Sequence, residues 1–213
     1  MTDTSLDLAS LMCSRLCHDL LSPVGALNNG LELLADEQDP EMRQRCLELL
    51  EQSAKSSADK LKFFRLAFGA AGGFGDSVAV NDARDVVDAL VQGNGRIDIE
   101  WNLGSESMPK AAVKTLLNFA LMAIDSLVRG GTLQIAAELR EGKSEIAVRA
   151  SGERIAFDPD LGRALDGSLP VADMSSRTAP AEMLRQMAER LGGKLQHAQG
   201  GGALVLGAEL PDV

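Results

Sequence analysis

Only two histidines occur in this 213-residue chain, and they stand in different company. His18 lies in RLCHDLLSP (residues 15–23), with Asp19 as its immediate neighbour. A neutral imidazole presents a nucleophilic nitrogen at physiological pH. An adjacent carboxylate can hold the proton on the other ring nitrogen and stabilise the cationic ring that forms on attack. General acid/base work and acceptance of a phosphoryl group both fit that pair. No strained nucleophile elbow of the G-x-S-x-G kind accompanies it, so a Ser-His-Asp arrangement cannot be assembled. Cys13, Cys17 and His18 do not read as a metal site: Cys17 and His18 are about 100° apart on a helix, and no fourth ligand lies nearby. His197 sits at the end of a strand beside the turn QGGG (199–202), where a solvated side chain is expected.

The element that must present His18 is a long helix. From Leu6 to Leu34 the residues Cys13, Cys17, Leu20, Val24, Leu27, Leu31 and Leu34 recur at steps of four and three, a coiled-coil-like seam. His18 falls one position past that seam and points away from it. Arg15, Ser22, Gly25 and Asn29 share its face, so the ring stands between a cation, a hydroxyl and a missing side chain. Pro23 is a second signal. A proline inside a helix costs about 3 kcal/mol, because it loses one hydrogen bond and crowds the carbonyl four residues back. That carbonyl belongs to Asp19, which places a bend or a tolerated kink beside the His-Asp pair.

Asp36 to Asp39 breaks the pattern, and Asp39-Pro40 reads as a cap followed by a first helical residue. The second stripe runs Leu47, Leu50, Ala54, Ser57, Leu61, Phe64 and Phe68, ending in the glycine-rich segment 69–75. The two helices form an antiparallel hairpin about 45 Å long. Leu11, Met12, Leu16, Leu21, Leu33, Cys46 and Leu49 widen its apolar faces beyond what one partner helix covers. A two-fold dimer closing a four-helix bundle is the favoured solution, with packing on the chain's own second half as the competitor.

After the glycines the grammar is mixed α and β. Asn81 to Val91 has helical spacing capped by Asn81 or Asp82, Arg96 to Leu103 alternates like a strand, and Pro109 to Val128 is an apolar helix stopped at Gly130-Gly131. Thr132 to Leu139 and Ser144 to Ala150 flank the turn REGK as a hairpin. Phe157 to Arg177 reads as a loop with one short helical turn at Leu161 to Leu165. Thr178 to Leu191 is helical, and the strands Lys194 to Ala198 and Ala203 to Leu210 follow. The expected fold is α + α/β: a helical hairpin over residues 1–72 and an α/β sandwich over 76–213, with helices on one face of a mixed sheet.

Residues 15–23 resemble the H-box of two-component histidine kinases, which reads His, acidic residue, two variable positions, Thr/Asn/Ser, Pro. The second half resembles the ATP-binding domain of the same kinases without its ligand residues. On TLLNFALMAIDSL (115–127) the place of the magnesium-binding Asn falls at Phe119, with Asn118 one residue off. In VRASGERI (148–155) the adenine-binding Asp is Ala150 and the second Gly is Arg154. In TAPAEMLRQMAERLGGKL (178–195) the phosphate loop reads Thr178-Ala179-Pro180-Ala181. Pro180 has no N–H to offer a phosphate, and Thr178 and Ala181 bring β-carbons where glycines let backbone approach.

Taken together the chain resembles the ChpT-type histidine phosphotransferases of bacterial phosphorelays, from about Leu6 to Leu210. The resemblance implies a homodimer with no intrinsic cofactor. Its His18 takes a phosphoryl group from the receiver domain of a hybrid kinase (CckA-like) and passes it to response regulators (CtrA-like, CpdR-like) in cell-cycle control. It implies that Asp19 orients or deprotonates the ring, that Arg15 offsets phosphate charge, that Ser22, Pro23 and Gly25 shape the docking face, and that Mg²⁺ comes from the receiver. Two other readings share these residues: an ATP-dependent histidine kinase with divergent boxes, and a non-catalytic dimeric adaptor.

Composition bounds the partners. Thirty-one acidic against 21 basic residues, a net charge of -10, argue against a general nucleic-acid binder or a binder of anionic membranes. No apolar run approaches the roughly 18 residues of a membrane span, and the start MTDTSLDLAS is unlike a signal peptide. Three cysteines, an odd number, fit a reducing compartment, and a cytoplasmic location is expected.

Overall fold

The computed structural model describes residues 4–69, 77–92 and 95–212. Helix α1 spans Thr4–Asp36 and α2 spans Pro40–Phe68, antiparallel across a three-residue turn. The turn is chemically specified. Asp39 accepts a hydrogen bond from the Glu41 N–H at 2.9 Å, Pro40 opens the helix, and the Arg43 guanidinium donates to the carbonyls of Leu34 and Glu37. Gly30 lies directly under Leu50: a Cβ there would sit 2.9 Å from the leucine Cδ2, so the missing side chain lets the helices close. The glycine segment that ends the second stripe, and with it the boundary between 72 and 76, lies outside the described residues apart from Gly69.

The inward seam of the hairpin is rotated from the expected one. Pro23 and Gly30 are buried on α1 and Cys46, Phe63, Phe64 and Ala67 on α2, with Leu16, Leu20, Leu27, Leu34 and Leu50 partly covered. Cys13, Cys17, Val24 and Leu31, expected in the seam, are exposed in the single chain, as are Leu47, Ala54 and Leu61. The reason is that each helix carries two adjacent apolar stripes, and periodicity alone does not tell which one faces the other helix.

The second half begins with strand β1 (Ser77–Ala79) and helix α3 (Val80–Gln92), followed by β2 (Ile97–Leu103), β3 (Ser107–Pro109) and α4 (Lys110–Ser126). Then come β4 (Gly131–Arg140), β5 (Lys143–Ser151), α5 (Pro159–Asp166), a single 3₁₀ turn (Val171–Asp173), α6 (Ala179–Leu191), β6 (Lys194–Gly200) and β7 (Ala203–Pro211). Five strands form one mixed sheet in the order β2-β4-β5-β7-β6. Only the β2/β4 pair is parallel. The hairpin turn expected at REGK is a two-residue reversal with Glu141 and Gly142 both at positive φ, the geometry that matches strand twist.

Two expectations are corrected, and one strand pair was not anticipated. The short strands β1 and β3 pair with each other, although three-residue segments carry no periodic signal. Neither Asn81 nor Asp82 caps α3, which starts at Val80 straight from β1, with the Val80 N–H donating to the Glu106 carbonyl. The loop after Phe157 contains a complete eight-residue helix, α5. It is opened by Asp158-Pro159, with Asp158 accepting from the Asp160 N–H, and closed by Gly167 at φ 78°.

One hydrophobic core runs from Phe63, Phe64 and Ala67 of α2 through α3 and α4 to Leu133, Ile135, Val148, Leu204 and Leu206 on the inner face of the sheet. The root of the hairpin thus packs on the second half, while its apolar stripe toward the tip stays uncovered. The two solutions weighed from the sequence therefore apply to different parts of the same hairpin.

Buried Glu182 on α6 is held by Arg185 through both carboxylate oxygens, at 2.6 and 2.8 Å, and by Gln186 at 2.9 Å. Burial alone raises its carboxyl. The bonds from Arg185 and Gln186 outweigh that and hold it below the ordinary glutamate value of 4.5. A depressed carboxylate contributes stability that is complete above its unfolded value and is lost as pH falls through its folded one. Glu182→Gln is expected to cost about 1–2 kcal/mol near neutral pH, and less at pH values below both the folded and unfolded glutamate values, in denaturant titrations of the two proteins. An equal cost at every pH would contradict it.

Candidate functional site

Helix α1 presents His18 to solvent: its side chain is 84% exposed. Nδ1 lies 3.0 Å from Asp19 Oδ1, and among the described residues Nε2 has no hydrogen-bond partner. The ring's free nitrogen is therefore the one turned outward. Asp19 itself is only 16% exposed, because its other oxygen, Oδ2, accepts from Arg15 Nε at 2.6 Å. Arg15 continues to a residue of the second half, its Nη2 donating to Asp125 Oδ2 on α4 at 3.1 Å. Two carboxylates thus share one guanidinium. Burial pulls the Arg15 cation down, but Asp19 and Asp125 outweigh it and raise it above its ordinary value. Burial pushes the Asp125 carboxyl up, against the pull of Arg15.

The kink signal has a chemical counterpart. Pro23 lies inside α1 and has no N–H to give the Asp19 carbonyl. Lys60 of α2 supplies the missing donor, with Nζ 2.9 Å from the Asp19 oxygen. The cost of the proline is offset locally, and Asp19 is pinned at its backbone as well as its side chain. Lys60→Met is expected to leave that carbonyl without a partner and to lower stability by about 1–3 kcal/mol in thermal or urea unfolding. A loss under about 0.5 kcal/mol would show that water replaces the lysine.

The remaining site residues separate. Ser22 is exposed on the His18 side. A Cβ on Gly25 would meet nothing within 4 Å, so the glycine opens surface and relieves no clash. Pro23 points into the hairpin. Arg15, expected beside a phosphate, is turned to Asp19 and Asp125 with 15% of its side chain exposed. His197 is exposed, as expected, with 30% of its side chain accessible. It packs near the Phe157 ring at 5.9 Å and against Gly162, where a Cβ would lie 2.7 Å from its Cε1.

The residues marking the altered nucleotide boxes are mostly structural. Phe119 is fully buried in the core. Another side of α4 carries Asn118, Met122 and Asp125, at helical spacing of four and three, and these line a small space with Arg15. Ala150 is fully buried near the end of β5, between Leu133 and Leu204. Thr178 is buried and closes a turn on Ser175, Pro180 is buried at the start of α6, and Arg154 is exposed. The space left between Asn118, Met122, Asp125, Ala156, Leu161 and Pro180 is ≈ 20 Å³. That is room for about one water molecule, against the several hundred Å³ of a nucleotide-sized pocket.

An exposed histidine on a helical hairpin, beside an α/β sheet domain, has counterparts. Residues 80–203 match the family of histidine phosphotransferase C-terminal domains. The chain belongs to the histidine phosphotransferase family. A relative from Brucella abortus (strain 2308), named protein phosphotransferase ChpT, is 33% identical over 199 residues, covering 92% of this chain and 91% of that one. A solved structure of a bacterial phosphotransferase superposes with a TM-score of 0.84 and 30% identity over 98% of both chains. The nucleotide-free catalytic domain of histidine kinase ThkA aligns at a TM-score of 0.48, with 19% identity over 64% of this chain and 95% of that one. Among the described residues no group of three His, Cys, Asp or Glu is placed to hold a metal ion. Nor is any described helix long and apolar enough to cross a membrane.

Proposed function

We propose that this protein moves phosphoryl groups between aspartates of receiver domains through a phosphohistidine at His18, without ATP. The observation that carries this reading is the exposed imidazole whose Nδ1 is held by Asp19 while Nε2 faces outward. Nε2 attacks the phosphorus of a receiver's aspartyl phosphate in line. The N–P bond forms as the P–O bond to the aspartyl carboxyl breaks, and the carboxylate leaves with the electron pair. Nδ1 keeps its proton, and the positive charge that develops on the ring is balanced by Asp19. The reverse step delivers the group to a second receiver. Magnesium and a receiver lysine supply the remaining charge neutralisation, which is why little beyond position is asked of this chain.

The space beside Asn118, Met122 and Asp125, on the helix where the kinase resemblance puts the magnesium-binding residue, is only ≈ 20 Å³, which supports a relay over the rival ATP-dependent kinase. An adaptor without chemistry gives no reason for a double-pinned carboxylate beside an exposed ring. The donor is a hybrid-kinase receiver of the CckA type and the acceptors are response regulators of the CtrA and CpdR type, in the cytoplasm. The test is transfer of radiolabel from a phosphorylated receiver, with ATP removed: label that is acid-labile and base-stable supports the reading. Binding without label supports the adaptor, and label from ATP alone supports the kinase.

The working form is a homodimer closing a four-helix bundle. Cys17, Val24 and Leu31 on α1 and Leu47, Ala54 and Leu61 on α2 recur every seven residues and are exposed in the single chain, the spacing of a bundle seam. The double variant Val24→Glu, Leu31→Glu is expected to sediment as a monomer where the parent sediments as a dimer at micromolar concentration. A parent that is itself a stable monomer would contradict the dimer.

A further inference from the structure

Among the described residues, a single chain of polar contacts joins the second half to the phosphoacceptor. It runs from Asp125 Oδ2 to Arg15 Nη2 at 3.1 Å, from Arg15 Nε to Asp19 Oδ2 at 2.6 Å, and from Asp19 Oδ1 to His18 Nδ1 at 3.0 Å. We infer that Asp125, 110 residues from Arg15 in sequence, is a positioning residue for transfer: through Arg15 it fixes the Asp19 carboxylate, and so the ring nitrogen that His18 turns outward. The inference rests on the proposed phosphoryl transfer at His18.

Carboxylate geometry carries it. A carboxylate can turn about its last torsion and exchange its two oxygens, so a single partner leaves its direction loosely set. An exposed Arg-Asp pair four residues apart on one helix contributes only about 0.3–0.5 kcal/mol, too little to hold one geometry by itself. Here Arg15 is anchored from a second helix. Its planar fork gives one N–H to each carboxylate and cannot follow Asp19 if Asp19 turns. With Oδ2 occupied, Oδ1 is the oxygen left for the imidazole. That bond keeps the proton on Nδ1 and the lone pair on Nε2, the tautomer that attack requires. Lys60 on the Asp19 carbonyl fixes the same residue from the other side.

The arrangement also gives the second half a task unrelated to nucleotide. Asp125 shares the face of α4 that carries Asn118 and Met122, and Arg15 lines the same small space. That face of α4 is used here to brace the hairpin.

The test uses the full-length protein, a phosphorylated receiver at saturating concentration, and ¹⁵N chemical shifts of the His18 ring. Asp125→Asn is expected to slow single-turnover transfer about tenfold and to shift His18 from the Nδ1–H form toward the mixture of an unrestrained histidine. Asp125→Glu, which keeps the charge and the acceptor, is expected to return both readouts to within about twofold of the parent. Two results overturn the inference: Asp125→Asn with the parent's rate and tautomer, or slowing by both variants with the tautomer unchanged, which marks Asp125 as a packing or docking residue. If the parent receives no phosphoryl group at His18, the proposed function fails, and the ring shifts still decide whether Asp125 positions the histidine.

Discussion

Replacing His18 by Gln is expected to lower phosphoryl acceptance by about a thousandfold or more while leaving the fold intact. Both halves of that statement come from the same geometry. The side chain is 84% exposed and its one described polar contact is with Asp19, so the glutamine removes little packing. Exposed substitutions of this kind shift stability by about 0.5 kcal/mol or less. The loss of function has no such buffer, since no second histidine stands near: His197 lies on β6, against Gly162 of α5 and Phe157. Measurement of transfer together with a thermal melt separates the two effects. A variant that melts with the parent and still accepts label at a comparable rate would remove His18 from the mechanism.

Phe63→Ala is expected to have the largest effect on stability, about 3–5 kcal/mol. Phe63 is fully buried where α2 meets the second half, and its ring packs edge-on against Phe64 at 5.8 Å, which itself stacks on Phe68 at 5.7 Å. The truncation leaves a cavity at the point where the hairpin and the sheet domain share one core, and it removes an aromatic pair worth about 0.5–1.5 kcal/mol beyond its buried area. Denaturant unfolding measures the loss. Because the Asp125–Arg15 contact depends on the same docking, slower transfer is expected to accompany it. A cost below about 1 kcal/mol would mean that the hairpin root is not part of a shared core.

Much of this was legible from local sequence. His18-Asp19 on a helix, Asp39-Pro40 as a helix start, and Pro23 freeing the Asp19 carbonyl are each signals carried by residues a few positions apart. What escaped was of two kinds. One was phase. Two apolar stripes per helix made Cys17, Val24 and Leu31 read as the inner seam together with Leu20, when Leu16, Pro23 and Gly30 are the residues turned inward beside Leu20. A small displacement along the chain swings the side chain around the axis by about 100° per residue, and composition does not resolve it. The other was distance. Nothing in RLCHDLLSP says that Arg15 reaches Asp125 or that Lys60 caps Asp19, because those pairings exist only once the hairpin is closed and docked. Helix α5 belongs to neither kind: Asp158-Pro159 carries the same start signal as Asp39-Pro40, and the small residues after it obscured it.

The central claim is tested most directly by the position of the phosphoryl group on the protein. The full chain is charged from a phosphorylated receiver in the absence of ATP, and the product is located by peptide mapping and by phosphorus–nitrogen coupling in NMR. The account predicts one acid-labile phosphoryl group, bonded to Nε2 of His18. A phosphoryl group on Nδ1, on any other residue, or none at all beside a receiver that is competent to give it up, would contradict it.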